Sequence, residues 1–171
     1  MKKRIITILM FLVTLFGFSQ KIVENKIDDF TKNKVVRTDW EKICVSRDLY
    51  LYSRISKIDE SYYIEMKIPT NYVTSIDTND DVSFMFENNE IINLKSTEYK
   101  ITCYGCGSIG LAGSAALGLG FSCKISNLDI EKFKNSLVKK IRIYKSGGYS
   151  EDELKSKNSE KLKAMFVLIS S

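Results

Sequence analysis

The chain of 171 residues contains no histidine, a single proline and a single tryptophan. Without histidine, neither a Ser-His-Asp triad nor a Cys-His pair can form, and the imidazole ligands of most metal sites are missing. The single proline and the absence of a Ser/Pro/Gly-rich linker give no sign of a boundary between domains. The sequence therefore favours a non-catalytic protein over an enzyme. We assign no catalytic residue, no metal site and no cofactor from it.

Long apolar runs are also scarce, apart from one at the N-terminus. Basic residues 2–4 precede an apolar run over residues 5–16, and the small residues Gly17 and Ser19 follow it. This order is typical of a cleavable signal peptide. The run is shorter than the ~20 residues that span a bilayer, so we expect cleavage after Ser19 and no transmembrane anchor afterwards. The expected location is the periplasm or the extracellular surface of a Gram-negative bacterium.

The length and net charge of the chain after the signal peptide indicate one domain without a basic patch. Removing the signal peptide (1–19) leaves residues 20–171, which is the size of one ordinary domain, and we expect a single β-rich globular domain there. The net charge of the whole chain is +5, and it falls to +2 without the three basic residues of the signal peptide. The other lysines are scattered among Asp and Glu instead of forming a basic patch. We therefore do not expect nucleic acid as a partner.

Alternation of apolar and polar residues predicts strands over much of this domain. Residues 49–58 and 62–68 should pair as a hairpin, because a short polar segment joins them. Residues 82–86 and 91–94 should form a second hairpin around Asn88-Asn89, since Asn tolerates positive φ. Further strands are expected around Tyr99–Cys103, Phe121–Ile125 and Lys140–Lys145.

Two helices are expected in the last third of the chain. Ser126 offers an N-cap for the first helix. Ser150 and Glu153 form a capping box, which predicts that the last helix begins near Glu151. The apolar residues expected to face the sheet are Leu154, Leu162, Met165, Phe166 and Ile169. Strands first and helices later indicate an α+β fold, mainly antiparallel β-sheet with one short helix and a C-terminal helix packed on it.

The segment between residues 102 and 124 is unusually rich in glycine and carries no charge between its two outer cysteines. Its glycines match G-x-G-x-x-G, but no βαβ unit surrounds them, so we reject a dinucleotide site. We expect a loop over 105–120. An exposed apolar loop is a candidate contact element for a partner. The candidate binding residues are Gly105, Gly107, Gly110, Leu111, Gly113, Leu117 and Leu119.

Four cysteines, Cys44, Cys103, Cys106 and Cys123, are disulfide candidates because an even number in an exported chain is typical of disulfides. All three complete pairings are possible, and we favour Cys103–Cys123, which would close the base of the glycine loop. In that case the other two cysteines pair or remain free. Cys103 and Cys106 also match the C-x-x-C motif of thiol-redox proteins, although no helix start accompanies it.

Two further patterns support weaker hypotheses. Asp77, Asn79 and Asp81 resemble the start of a calcium-binding EF-hand loop, but Val82 replaces the required glycine, so we predict a polar turn. Several aromatic residues lie on or near predicted strands, where ordinary sheet packing explains them and some should reach the outer face. They are Trp40, Tyr50, Tyr52, Tyr62 and Tyr63.

The export signal, the missing histidine and the glycine-rich loop favour a non-catalytic exported protein that binds another protein or an envelope component. One alternative is a thiol-redox protein that uses Cys103 and Cys106. The other is a structural envelope protein without a ligand.

Overall fold

Alternating apolar and polar residues form antiparallel strands through most of the chain. The computed structural model describes residues 20–110 and 115–171, and the expected signal peptide lies outside this part. The strands are β1 (Ile22–Ile27), β2 (Lys34–Thr38), β3 (Glu41–Val45), β4 (Tyr50–Ile58), β5 (Ser61–Pro69), β6 (Ser75–Ile76), β7 (Asp81–Phe86), β8 (Ile91–Lys95), β9 (Lys100–Ile101), β10 (Cys103–Tyr104), β11 (Leu117–Ile125), β12 (Val138–Lys145) and β13 (Gly148–Glu153). The helices are α1 (Asn127–Asn135) and α2 (Ser156–Ser170).

A seven-stranded antiparallel sheet has the order β1-β2-β4-β5-β11-β10, and β3 also pairs with β4. The predicted hairpin of β4 and β5 is confirmed: Ile55 lies opposite Ile64 and Ile58 opposite Ser61. Asp59 makes the turn with a φ of 50°. Strands β2 and β3 both pair with β4, and the chain is interrupted between them at Asp39-Trp40.

A four-stranded antiparallel sheet has the order β13-β12-β7-β8, and β6 and β9 form a small two-stranded sheet. The turn predicted at Asn88-Asn89 is confirmed, with Asn89 at a φ of 64°. Just after β8, Ser96 bridges to Cys123 of β11, and the Thr97 amide donates to the Ser122 carbonyl at 2.8 Å. These bonds connect the larger sheet to the four-stranded sheet.

The two sheets share one apolar face, which we call the inner face, and helix α2 packs against it. The predicted alternation is confirmed on β5 and β11, where the inner residues Ile64, Met66, Phe121 and Cys123 are buried. Helix α2 adds the buried residues Leu162, Met165, Phe166 and Ile169 to the same core. The opposite, outer face of the seven-stranded sheet carries the polar residues of these strands.

Four phenylalanines join both helices to the four-stranded sheet. Phe133 of α1 stacks on Phe166 of α2 with ring centroids 4.3 Å apart. Phe84 and Phe86 of β7 meet Phe133 edge-on, at 5.1 and 5.2 Å. All four side chains are fully buried. We call this group the phenylalanine cluster.

The start of the last helix is not where the capping box placed it. Residues 148–153 form β13, in which Ser150 lies opposite Ile143, and α2 begins only at Ser156. Gly147 and Gly148 have φ values of 84° and 126°, which turn the chain back along β12. Cross-strand hydrogen bonds then replace the local bonds that Ser150 and Glu153 would make at a helix start.

The predicted strand around Tyr99–Cys103 is also wrong as one element. Residues 100–101 pair with β6 and residues 103–104 pair with β11, so the chain passes from one sheet to another between them. The first helix, in contrast, is confirmed: Ser126 Oγ accepts the Asp129 amide at 3.1 Å as an N-cap. The α+β class with mainly antiparallel strands and a C-terminal helix is confirmed. No helix in the described ranges has the length and apolar character to cross a membrane.

We expect Phe133→Ala to lower the free energy of unfolding by about 3–5 kcal/mol, because it empties the centre of the phenylalanine cluster. The matched control is Leu128→Ala on the same helix, since Leu128 is 79% exposed and Phe133 only 1%. The control should change stability by less than about 0.5 kcal/mol. Urea denaturation followed by circular dichroism measures both, and equal losses in the two variants would contradict the cluster's role.

Candidate functional site

The disulfide of the structure joins Cys103 to Cys106, with their Cα atoms 5.4 Å apart. The favoured pairing of Cys103 with Cys123 is therefore wrong. Cys103 lies opposite Gly118 in the register of β10 and β11, five residues from Cys123. Five strand residues span about 17 Å, far beyond the reach of a disulfide.

Cys44 and Cys123 are free thiols buried in the core, so the expectation that they form disulfides is not met. Burial is the main cause that raises the pKa of each thiol to about 12. A neutral, enclosed thiol is a poor nucleophile and a poor metal ligand. Both residues therefore act as small apolar core side chains.

The glycine-rich segment is only partly a loop. Residues 117–125 form β11, and Leu119 on the inner face is fully buried, so the expectation that Leu119 contacts a partner is wrong. Leu117 is half-buried at the start of the strand. Gly105 and Gly110 have φ values of 76° and 66°, as loop glycines often do. Leu111 and Gly113 lie outside the described residues.

Residues 103–110, which we call the disulfide loop, fold back onto the outer face of the sheet. A Cβ atom on Gly107 would lie 2.7 Å from the Pro69 Cα, and one on Gly118 would collide with the Gly107 backbone. At Gly120 a Cβ would come within 3.0 Å of the Cys106 carbonyl oxygen. These three glycines therefore permit a close approach of two backbones, a role that the composition alone did not reveal.

Next to the disulfide loop lies a cleft of about 480 Å³, which we call the outer cleft. Strands β2, β4, β5 and β11 form its floor, and Trp40 at the β2–β3 interruption forms part of its wall. The charged and aromatic residues that line it include Arg37, Trp40, Arg54, Tyr63, Glu65 and Lys67. Its volume is within the range of small-molecule sites.

Glu65 is the centre of the charged side chains in the outer cleft. Arg54 donates Nε and Nη2 to its Oε2 at 2.8 and 2.5 Å, and Ser56 Oγ donates to Oε1. Arg37 places Nε 3.4 Å from Oε1 and donates Nη1 to Glu24 at 2.5 Å. That last bond is the main cause that lowers the pKa of Glu24. Both oxygens of Glu65 thus accept hydrogen bonds, and the bidentate contact positions Arg54.

Two cations lie against the indole ring of Trp40. The guanidinium carbon of Arg54 is 4.6 Å from the ring centroid and Lys67 Nζ is 4.7 Å from it. Lys67 also donates to the Ser108 carbonyl oxygen at 2.7 Å, which ties the disulfide loop to the cleft. Burial is the main cause that lowers the pKa of Lys67, and the Arg54 charge adds to the effect. The charged form of the ammonium group is therefore partly desolvated and less favoured than in water.

A shallower groove of about 260 Å³ lies along the disulfide loop, lined by Tyr50, Tyr52, Gly107 and Leu117 among others. The two tyrosine rings are 5.3 Å apart and their hydroxyl groups 3.1 Å apart. Lys42 Nζ lies 5.3 and 5.8 Å from the ring centroids. Its hydrogen bond is the main cause that lowers the pKa of Tyr50. We call this the tyrosine groove.

The sequence identified only part of this site. It singled out Trp40, Tyr50, Tyr52 and Tyr63 as aromatic residues near strands, and it singled out the glycines. It did not single out the charged residues Arg37, Arg54, Glu65 and Lys67. The alternation on β4 and β5 contained the needed signal, because the residues between the buried positions must share the outer face.

The described residues contain no group of three or more His, Cys, Asp or Glu side chains that is arranged to hold a metal ion. The Asp77–Asp81 segment is a turn in which the Asp77 amide donates to Asp80 Oδ2 at 2.8 Å. Lys95 closes this turn by donating to the Asn79 carbonyl oxygen at 2.9 Å and by pairing with Asp81 at 3.3 Å.

We expect Gly118→Ala to cost about 1–3 kcal/mol of stability, because the added methyl group must push the disulfide loop away from the sheet. Gly120→Ala is the matched comparison on the same face of β11. It should cost less, since its Cβ meets only one carbonyl oxygen at 3.0 Å. Thermal denaturation of both variants tests the order, and an unchanged Tm for Gly118→Ala would contradict the close approach.

Comparison with known proteins adds no relative. No protein-family model matches the chain, and no curated protein and no solved structure is significantly similar to it. The function must therefore be inferred from the chemistry of the outer cleft and the tyrosine groove.

Proposed function

We propose that the protein is a non-catalytic exported module that binds another protein or a component of the bacterial envelope. Its binding surface is the outer face of the seven-stranded sheet. The observation that carries the proposal is the pair of adjoining depressions along the disulfide loop, the outer cleft and the tyrosine groove. Within the described residues, both helices pack on the inner face and leave these two depressions uncovered.

The side chains of this face suit binding. Trp40, Tyr50 and Tyr52 present large rings at low cost in conformational entropy, and Trp, Tyr and Arg are the residues most enriched at binding hot spots. Glu65 holds Arg54 in place and Glu24 holds Arg37, so little order has to be gained when a partner binds. Ser108 lines the tyrosine groove, and its carbonyl oxygen accepts from Lys67, which lines the outer cleft.

A second candidate function is thiol-disulfide exchange, which the Cys103–Cys106 disulfide favours. Cys103 is exposed, so a thiolate from another molecule can reach it. The motif lies between a two-residue strand and a turn, and not at a helix N-terminus that would lower a thiol pKa. We therefore rank this function below binding. A structural envelope protein without a ligand is the third possibility.

To test binding, the protein is purified after expression of the full coding sequence and sedimented with the insoluble envelope fraction of Gram-negative cells. We expect Trp40→Ala and Tyr52→Ala to weaken sedimentation about tenfold or more, since truncating a hot-spot ring costs at least ~2 kcal/mol. Tyr149→Ala is the matched control, because Tyr149 is exposed and lies beside Tyr144 on the other sheet.

The Tm of each variant shows whether the fold is intact. If the wild-type protein does not sediment with envelope, the binding proposal is wrong and a structural role without a ligand gains. Equal losses for Tyr52→Ala and Tyr149→Ala would show that the outer face is not the binding surface.

Export and the state of the cysteines are tested together by intact mass after thiol alkylation. We expect the protein isolated from a Gram-negative host to lack Met1–Ser19 and to carry one disulfide. Cys44 and Cys123 should be alkylated only after denaturation, because both are buried. A retained N-terminus would contradict export. Rapid turnover of the Cys103–Cys106 disulfide in an insulin-reduction assay, lost in Cys106→Ser, would favour the redox function.

A further inference from the structure

We propose that the outer cleft receives an oxyanion, the carboxylate or phosphate group of a small acidic ligand, and that Lys67 supplies the charge that pairs with it. The inference rests on the proposed binding function and names the ligand chemistry of one of its two depressions.

The first argument is the charge balance of the cleft. Four cationic side chains line it, and three of them have carboxylate partners: Arg54 pairs with Glu65, Arg37 with Glu24, and Lys100 with Glu98 at 2.9 Å. Lys67 forms no salt bridge with any carboxylate of the described residues; its partners are the Ser108 carbonyl oxygen and the Trp40 ring. One positive charge of the cleft is thus left for a ligand to neutralise.

The second argument is the number of unused donors. A lysine ammonium group has three N–H donors, and one of them is used by the bond from Lys67 to Ser108. Arg37 Nε is buried and has no hydrogen-bond partner, since its approach to Glu65 lacks the geometry of a bond. Because that nitrogen has almost no accessible surface, the donors open to a ligand in the cleft are the two remaining N–H groups of Lys67 and not Arg37 Nε. An oxyanion offers several acceptor lone pairs at once.

The third argument is the partial desolvation of the Lys67 ammonium group. Burial and the neighbouring Arg54 lower the pKa of Lys67, so its charge is poorly compensated without a ligand. The charge of Glu65 acts in the opposite direction but does not cancel the effect. An anion beside Lys67 would compensate its charge. The rings of Trp40 and Tyr63 would contact the rest of a small molecule in the cleft. Charged hydrogen bonds are stronger than neutral ones in such a partly desolvated place.

The test is an NMR titration of the whole purified protein with four probes: inorganic phosphate, acetate, glucuronate and uncharged glucose. We expect at least one of the three anions to shift the amides of β5 and of the disulfide loop saturably, and glucose to leave them unchanged. Phosphate against acetate separates the two oxyanion chemistries, and glucuronate against acetate shows whether a ring adds affinity.

Lys67→Gln should weaken anion binding about tenfold or more, as expected for a lost charged hydrogen bond. Lys124→Gln is the matched control, because Lys124 lies on the outer face of the same sheet, opposite Tyr63, and does not line the cleft. Lys67→Arg keeps the charge and should retain most of the affinity. If Lys67→Gln does not fold, the decrease of wild-type affinity with added salt and the Lys67→Arg result still test the proposal.

Absence of saturable shifts with all three anions would overturn the inference, as would equal weakening by Lys67→Gln and Lys124→Gln. Binding of glucose as strong as that of glucuronate would also overturn it. The proposed binding function has a separate outcome, because envelope sedimentation that depends on Trp40 and Tyr52 would stand even if no anion binds.

Discussion

The packing of α2 on the inner face through the phenylalanine cluster is the constraint on which the rest of the structure depends. Phe133 and Phe166 stack at 4.3 Å, and Phe84 and Phe86 of β7 close around Phe133. The inner faces of both sheets contribute their buried apolar residues to the same core, and burial of apolar area is the main favourable term in folding. The charged side chains of Arg54, Glu65 and Lys67 therefore lie on the outer face of the seven-stranded sheet.

The disulfide loop lies on that outer face, and its close contact with the sheet requires glycine, which has no side chain. A Cβ atom on Gly107 would collide with the backbone of Pro69 in β5, and a Cβ atom on Gly118 would collide with the backbone of Gly107. The loop held by Cys103–Cys106 can therefore lie flat against β11 and reach Lys67 through the Ser108 carbonyl oxygen. Lys67 links the loop to the outer cleft, because it lines the cleft and donates to the Ser108 carbonyl oxygen. A substitution that moves the loop should accordingly also shift Lys67 in the cleft.

Local sequence was sufficient wherever a structure depends on near neighbours along the chain. The alternation in residues 49–68 predicted both strands of the β4–β5 hairpin, and Asn88-Asn89 predicted a turn that needs positive φ. Ser126 predicted the start of α1 because an N-cap bond spans only three residues. Local sequence misled at Ser150, where a capping box and a strand competed and a hairpin partner decided the outcome.

The sequence by itself determined the α+β class, the positions of β4, β5, β7 and β8, and the inward-facing residues of β5 and β7, because side-chain alternation follows directly from strand geometry. The tertiary structure alone decided which residues meet across strands. Register placed Cys103 beside Gly118, leaving Cys106 as its disulfide partner and Cys123 buried and free. Register also brought Arg37, Arg54 and Lys67 around Glu65 and Trp40. These residues lie far apart in the chain, and only the pairing of β2, β4 and β5 makes them neighbours.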